Sequence, residues 1–192
     1  NRNIKTVRLN FIIFAILSGP RKGLLFPRYK YTNILTKYLL LRRKNKYMPH
    51  NITIYTDGAA SGNPGPGGYG VVLMAGAHRK ELSEGFRRTT NNRMELLGAI
   101  TALQSLHEPC QVSLYTDSQY LANAINLGWL RGWKQKGWRR KDGELKNVDL
   151  WQTLDGLLQT HKVQFFWVKG HADNVYNNRC DALAVAEREK FA

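Results

Sequence analysis

Hydrophobic and polar residues alternate at the start of the stretch Asn51–Gly70, and the rest of the chain is arranged around this stretch. Its first residues combine β-branched and aromatic side chains with a period of two, which predicts a strand that runs into Asp57-Gly58. A Gly/Pro-rich loop is expected next, followed by a second strand over Tyr69–Met74. A carboxylate at the end of a buried strand is costly unless positive charge pairs with it, and no Lys or Arg adjoins Asp57 in the sequence.

The periodicity of the remaining chain predicts strands and helices in alternation. Every third position is apolar from Met94 to Leu103, which indicates a helix with one buried face. The elements expected after the second strand are a strand over Arg79–Arg88, a helix capped by Asn92 and ending near Leu106, a strand over Val112–Thr116, a helix over Ser118–Leu127, a helix over Val148–Thr160, a strand over Val163–Val168, a loop over Gly170–Asn178 and a helix over Arg179–Lys190. Strands first and alternation afterwards favour an α/β fold with helices covering a sheet.

Charge divides the chain into two unequal parts. The 192 residues support one domain, and their formal net charge is +15. Residues 1–47 hold 12 Lys and Arg and no Asp or Glu, so the remaining residues carry only +3. The basic character of the whole chain is therefore weak evidence for nucleic-acid binding, and local clustering has to supply it. The two cysteines lack CxxC spacing, which favours reduced thiols in a cytoplasmic protein over disulfides or a zinc site.

The leader formed by residues 1–47 has three interpretations. It could be a secretory signal with Phe11–Leu17 as its apolar region, or an acid-free organelle transit peptide, although Ser18 is its only serine. The favoured interpretation is sequence upstream of a start at Met48. On that view residues 1–47 are disordered or not part of the native protein, and residues 48–192 form the functional domain. The apolar run Leu9–Leu17 is too short to span a membrane.

Four acidic residues form the candidate site. Taken singly, each has an ordinary explanation: Asp57 in a turn, Glu95 in a capping box with Asn92, Asp117 as a helix cap, and Asp181 on a solvated helix face. Asp57 and Asp117, however, follow matching contexts, Tyr-Thr-Asp in both strands. If those strands are parallel neighbours, both carboxylates emerge at one edge of the sheet. Oxygen ligands without a His or Cys cluster favour Mg²⁺ or Mn²⁺, and two such ions can act together on a phosphodiester.

Five motifs in register then point to a known family. They are Tyr55-Thr-Asp-Gly with Gly62-Asn-Pro-Gly-Pro-Gly-Gly-Tyr-Gly70, Thr89-Thr-Asn-Asn-Arg-Met-Glu-Leu96, Thr116-Asp-Ser-Gln-Tyr120, Trp167-Val-Lys-Gly-His171 and Asn178-Arg-Cys-Asp-Ala-Leu-Ala184. Together they resemble ribonuclease H type I of the bacterial kind, over essentially all of residues 50–190. The resemblance implies a ribonuclease-H-like fold, with a mixed five-stranded sheet flanked by helices and a basic protrusion.

The resemblance also implies an activity and its residues. The expected enzyme is an endonuclease that hydrolyses the RNA strand of RNA–DNA hybrids with two Mg²⁺ ions, for which Mn²⁺ can substitute, and leaves 5′-phosphate and 3′-hydroxyl ends. The metal ligands it implies are Asp57, Glu95, Asp117 and Asp181. His171 matches a mobile histidine that assists proton transfer or product release, against the alternative of an ordinary surface histidine. The expected contacts to the RNA strand are Asn63, Asn91, Asn92 and Gln119.

The stretch Trp129–Lys146, called the basic segment below, resembles the family's protrusion. Seven Lys and Arg against Asp142 and Glu144 give it +5, and phosphate contacts by such a patch weaken with salt. A solvated charged loop would explain the lysines but not three interleaved tryptophans, some of which are expected to pack on the domain. The substrate contacts expected here are Trp129, Trp133, Lys134, Lys136 and Trp138.

Two rival functions remain open at this point. A DNA nuclease on the same fold would not need the amide residues that match RNA contacts, and a non-catalytic hybrid-binding module would not need four acids. One departure from the family pattern bears on His171: Asp173-Asn-Val-Tyr176 follows it in place of Gly-His-Pro-Glu. A monomer in the cytoplasm, with no membrane partner, is expected.

Overall fold

The computed structural model describes residues 50–140 and 143–192 of the chain, so the prediction for the leader lies outside the described residues. Five strands and five helices are found within these ranges. The strands are β1 (His50–Ala60), β2 (Gly65–Ala75), β3 (His78–Thr89), β4 (Cys110–Thr116) and β5 (Lys162–Trp167). The helices are α1 (Asn91–Gln104), α2 (Gln119–Asn126), α3 (Trp129–Gln135), α4 (Val148–Thr160) and α5 (Val175–Glu189). The Gly/Pro-rich stretch expected as a loop is largely taken up by the ends of β1 and β2.

The strands form one mixed sheet in the order β3-β2-β1-β4-β5. β1, β2 and β3 pair antiparallel, whereas β4 pairs parallel with both β1 and β5. The antiparallel half follows from short turns such as Gly76-Ala77, where Gly76 has a positive φ of 60° that L side chains seldom adopt. The parallel half needs helical crossovers, which α1 and the α2–α4 stretch provide. The predicted mixed five-stranded α/β fold is confirmed.

Helix α1 is the central element of the core. Residues on nearly its whole circumference are buried, including Met94, Ile100 and Leu103, because the sheet covers one side of it and α4 the other. The predicted cap at Asn92 is wrong: Thr90 is the N-cap, with an extended backbone and Oγ1 accepting a hydrogen bond from the Arg93 amide at 3.4 Å. The capping-box interpretation of Glu95 is therefore wrong as well, since Glu95 lies five residues after the cap.

Helix α5 covers the opposite face of the sheet. Tyr69 contacts Gly98 of α1, whereas its neighbour Gly70 faces the backbone of Cys180 in α5, and successive strand residues point to opposite faces. A side chain at position 70 would collide with the Cys180 carbonyl, so glycine is required for this close approach. The helix starts at Val175, four residues before the predicted start, because Asn174 caps it by accepting hydrogen bonds from the amides of residues 176 and 177.

The described part of the basic segment is the short helix α3 followed by an irregular stretch. Trp133 and Trp138 are half-buried and pack against the core, and the Trp133 ring lies 5.3 Å from that of Trp151 in α4. Trp129 keeps 40% of its surface exposed. The expectation that some of the tryptophans pack on the domain is confirmed. None of the helices within residues 50–140 and 143–192 is both long and apolar enough to cross a lipid bilayer.

Candidate active site

Strand register brings Asp57 and Asp117 together. β1 and β4 run parallel with Tyr55 opposite Tyr115 and Thr56 opposite Thr116, so an aspartate follows each of the two paired threonines. The parallel pairing ends at the threonines, while β1 continues along β2 as far as Ala60. The two carboxylates therefore emerge side by side at the carboxyl ends of parallel strands, where open α/β sheets place their sites.

Glu95 reaches the same point from α1. Gly58 makes this possible: a Cβ on Gly58 would lie 2.6 Å from the Glu95 amide nitrogen, so any other residue would push the helix away from β1. Carboxylate oxygens of Asp57, Glu95 and Asp117 all lie within 4.8 Å of one another. The structure thus brings three of the four predicted acids into one tight cluster.

Two carboxylates of the cluster are shielded from solvent, and the carboxylates repel one another. Asp57 is 6% exposed and Glu95 is 4% exposed. Burial raises the pKa of Asp57 to about 7, and the negative charges of Asp117 and Asp181 add to the shift. Burial also raises the pKa of Glu95 well above its usual range, with Asp57 and Asp117 adding to it. Both shifts have the same two physical causes, which are removal of the carboxylates from water and repulsion between neighbouring negative charges.

The donor set fits a hard divalent cation. Asp57 Oδ1 accepts a hydrogen bond from the Gly58 amide at 2.7 Å, and Glu95 Oε1 receives a long one, 3.4 Å, from the Asn91 side chain. Glu95 Oε2 is buried and has no hydrogen-bond partner within the described residues. A buried carboxylate oxygen of this kind is costly unless it binds something positive. Carboxylate oxygens without sulfur or imidazole are the ligands that Mg²⁺ and Mn²⁺ prefer.

Asp181 and His171 lie at the rim of the cluster. They line a cleft of about 630 Å³ together with the three clustered acids. His171 is held in a positive-φ conformation (52°), its side chain is 83% exposed, and its Nδ1 lies 3.8 Å from Asp181 Oδ2. An exposed imidazole beside the acids can exchange protons with solvent and with a substrate in the cleft.

Asp117 is held by three residues to which the motifs alone assigned no role. The Trp167 indole donates a hydrogen bond to the Asp117 main-chain carbonyl at 3.0 Å, and the Asn177 side chain donates one to Asp117 Oδ2 at 3.3 Å. Gly170 packs so closely that a Cβ there would lie 2.5 Å from Asp117 Oδ2. Trp167 and Gly170 belong to the Trp167–His171 motif, whereas Asn177 immediately precedes the last motif and carried no signal of its own.

Three of the four predicted RNA-contacting residues line the cleft. Asn91, Asn92 and Gln119 do so, with Asn91 and Asn92 in the first turn of α1 and Gln119 in that of α2. Tyr120 also lines the cleft, and its hydroxyl accepts a hydrogen bond from Trp151 Nε1 at 2.9 Å, which ties α2 to α4. Asn63 is exposed in the turn between β1 and β2 and does not line the cleft.

The basic segment forms a second, smaller cavity of about 330 Å³. Its lining includes the predicted contacts Trp129, Trp133 and Lys136, together with Arg139 and Arg140. Trp138 packs against the core, and Lys134 forms a 2.7 Å ion pair with Asp155 of α4. Trp129 and Lys136 therefore face this cavity, Lys134 and Trp138 have partners elsewhere in the domain, and Trp133 does both.

Comparison with known proteins matches this geometry. The model of the RNase H family matches residues 49–189. The chain is 61% identical over 136 residues to the ribonuclease H of Desulforamulus reducens, which covers 70% of this chain and 86% of that protein. It is 56% identical over 140 residues to the ribonuclease HI of a Synechocystis species, covering 72% of this chain and 88% of that one.

Solved structures agree. LC9-RNase H1, described as a type 1 RNase H with the type 2 active-site motif, superposes with a TM-score of 0.68 and 30% identity over 75% of this chain and 74% of that one. LC11-RNase H1 in complex with an RNA/DNA hybrid superposes with a TM-score of 0.56 and 26% identity over 72% of this chain and 97% of that one.

The chain belongs to the ribonuclease H family, and its relatives place it with the bacterial type I enzymes. Members of this family are metal-dependent endoribonucleases that hydrolyse the RNA strand of RNA–DNA hybrids. The predictions of fold, family and activity made from the sequence are therefore confirmed.

Proposed function

We propose that Asp57, Glu95, Asp117 and Asp181 hold two Mg²⁺ ions in the cleft and that Mn²⁺ can replace them. The observation that carries this proposal is the buried Glu95 Oε2, which has no hydrogen-bond partner in the part of the chain that the structure describes, within a cluster of three carboxylates. Bound divalent ions supply charge neutralisation of a phosphate and a water molecule that is easier to deprotonate. The carboxylates contribute by fixing the positions of the ions, and the burial of Asp57 and Glu95 restricts the movement of these two ligands.

We assign the transfer of a proton at the scissile bond to His171. Cleavage that leaves a 5′-phosphate and a 3′-hydroxyl requires a proton on the departing 3′-oxygen. The His171 imidazole is exposed at the edge of the cleft, and its Nδ1 lies 3.8 Å from Asp181 Oδ2. Its exposure also allows it to exchange that proton with solvent between turnovers.

Recognition of the hybrid is assigned to two surfaces. The amides of Asn91, Asn92 and Gln119 can hydrogen-bond to 2′-hydroxyls and base edges in the shallow groove of the RNA-containing duplex. Trp129, Trp133 and Lys136 supply ring surface and positive charge for the backbone of the hybrid, together with neighbouring arginines. The proposal extends to Lys134 and Trp138 as peripheral contacts, because they belong to the basic segment, and to Asn63, because it lies in a motif that resembles the family's.

The setting proposed for this activity is a monomer in the cytoplasm. Both cysteines, Cys110 and Cys180, are buried and free, as expected in a reducing compartment.

A cleavage assay with matched duplexes tests the proposal. An RNA–DNA hybrid with a 5′ label on the RNA is compared with DNA and RNA duplexes of the same sequence, with MgCl₂, with MnCl₂ and with EDTA. Cleavage confined to the RNA of the hybrid, dependent on the added ion and ending in 3′-hydroxyls, is expected. Equal cleavage of the DNA duplex, or full activity in EDTA, would contradict it.

A further inference from the structure

Asn177 is a buried polar side chain beside the acid cluster that the mechanism does not yet use. It lies in the first turn of α5 and is 1% exposed, although asparagine is ordinarily a surface residue. Burying an amide is unfavourable unless both its donor and its acceptor find partners. Its Nδ2 donates to Asp117 Oδ2 at 3.3 Å, whereas its Oδ1 has no partner within the described residues.

The backbone around Asn177 is held by the N-cap of α5, independently of the Asn177 side chain. The side chain of Asn174 accepts hydrogen bonds from the amides of Tyr176 at 3.2 Å and Asn177 at 3.1 Å, which sets the start of the helix. Asp181 follows Asn177 by four residues, so the two side chains share one face of α5. The same helix face therefore presents a carboxylate to the cleft and, one turn earlier, an amide to Asp117.

The carboxylate of Asp117 is confined from two sides. Asn177 occupies one side of Oδ2, and the backbone at Gly170 lies so close to the same oxygen that a Cβ there would displace the carboxylate. A hydrogen bond to one oxygen of a carboxylate restrains rotation about its last torsion, which otherwise varies broadly. Because Oδ2 is engaged in this way, α5 determines the orientation of the Asp117 carboxylate relative to the other two acids of the cluster.

We propose that Asn177 is a positioning residue for ion binding: it orients the Asp117 carboxylate toward Asp57 and Glu95 and so couples α5 to the end of β4. The inference rests on the proposed role of Asp117 as a metal ligand. Hydrogen-bonding partners of metal ligands typically affect metal affinity or activity by about 10- to 100-fold.

The test compares Asn177→Leu with Asn126→Ala. Leucine matches the shape of asparagine but removes the donor and the acceptor. Asn126 is a suitable control because its side chain also donates a hydrogen bond, to the Phe165 carbonyl at 3.2 Å, at a place outside the cleft lining. MgCl₂ is titrated into each full-length protein without substrate, and the rise in Tm gives the apparent affinity. Cleavage of the hybrid then gives kcat and KM separately.

The expected result is an apparent Mg²⁺ affinity about 10-fold or more weaker in Asn177→Leu, a similar fall in kcat and a KM within about 3-fold of wild type. Asn126→Ala should keep its Mg²⁺ affinity, even if its Tm without Mg²⁺ is lower. A purely structural role for Asn177 would lower Tm without moving the Mg²⁺ titration midpoint, and that outcome would overturn the proposal.

Asp117→Asn separates this inference from the proposed function. If Asp117→Asn weakens Mg²⁺ binding and Asn177→Leu does not, only the positioning role fails. If Asp117→Asn binds Mg²⁺ as wild type does, the ligand assignment fails and the positioning role fails with it. Should Asn177→Leu not fold, ¹⁵N NMR of the wild-type protein decides. The side-chain amide of Asn177 should exchange slowly with solvent and shift on addition of MgCl₂, whereas rapid exchange and an unchanged signal would refute the proposal.

Discussion

The acid cluster and the basic segment solve different physical problems. The cluster buries negative charge at positions fixed by the register of β1 against β4 and by close approach of α1. The described part of the basic segment exposes most of its positive charge on a seven-residue helix and an irregular stretch, which are attached to the domain by the buried Leu130 and by the rings of Trp133 and Trp138. Catalysis at the acid cluster depends on the relative positions of the carboxylates, which backbone hydrogen bonds maintain. Binding by the basic segment depends on positive charge, whose attraction to phosphate tolerates movement of the side chains. Changes in the two regions should therefore have different kinetic signatures.

The largest effect is expected from Asp57→Asn. Removing one carboxylate of the cluster should lower kcat on the order of 10³-fold or more. When catalytic residues act as a unit, loss of one of them removes most of the rate enhancement that the whole group provides. Hybrid binding should be retained, since loss of negative charge does not weaken attraction to phosphate. A cleavage time course measures kcat, and a titration of the hybrid in Ca²⁺ measures its affinity for the protein. Wild-type turnover by this variant would rule out the assignment of Asp57.

Trp133→Ala should have the next largest effect, and on stability. Trp133 belongs to the basic segment, and its ring packs against Trp151 of α4. Truncation to alanine should therefore lower the free energy of unfolding, measured by urea denaturation, by about 2–3 kcal/mol. The matched change is Trp129→Ala at a more exposed ring, which should cost less than about 1 kcal/mol. Equal losses for the two variants would mean that the basic segment is not anchored through Trp133.

In the metal-free protein, Asp57→Asn should increase stability. The folded-state pKa of Asp57 is raised to about 7, above its unfolded value of 3.8, so the folded protein binds the proton more tightly. Its contribution favours folding below the unfolded pKa and is lost as the pH rises toward the folded pKa. At pH 8 in EDTA the variant should be more stable than wild type by about 1–3 kcal/mol. The difference should shrink at pH 5, and Mg²⁺ should stabilise wild type more than the variant. A variant less stable at pH 8 would show that repulsion does not dominate there.

The smallest effect is expected within the basic segment. Lys136 lines the second cavity, whereas Lys134 is paired with Asp155. Lys136→Ala should raise KM about 3-fold at low salt with kcat unchanged, and should reduce the salt dependence of KM by roughly one phosphate contact. Lys134→Ala should change KM less. The reverse order would indicate that the Lys134–Asp155 pair opens when the hybrid binds.

Residues whose neighbours are set by regular pairing were predictable from the sequence. The repeated Tyr-Thr-Asp context predicted that Asp57 and Asp117 would lie side by side, and the parallel register of β1 and β4 places them there. Helix boundaries were less predictable where several good caps stand together. Thr90 and Asn92 are both suitable caps, and only the extended backbone at Thr90 distinguishes them.

Tertiary contacts account for what the sequence left unpredicted. The early start of α5 places the Tyr176 ring 5.2 Å from that of Tyr55, a contact between residues distant in the chain. The burial of Asn177 likewise arises only when α5 meets the end of β4, so a single asparagine beside a motif gave no indication of it. Lys134 was grouped with Lys136 because both are basic, and only the position of Asp155 separates them.

The parallel register of β1 and β4 has one further consequence. A slip by a single residue would displace one aspartate by about 3.3 Å along its strand and rotate it to the other side of the sheet. The interval between the two acids is thus determined by hydrogen bonds between main-chain N–H and C=O groups, which every residue supplies except that proline lacks the N–H. Surrounding side chains can diverge widely among homologous proteins without altering that interval.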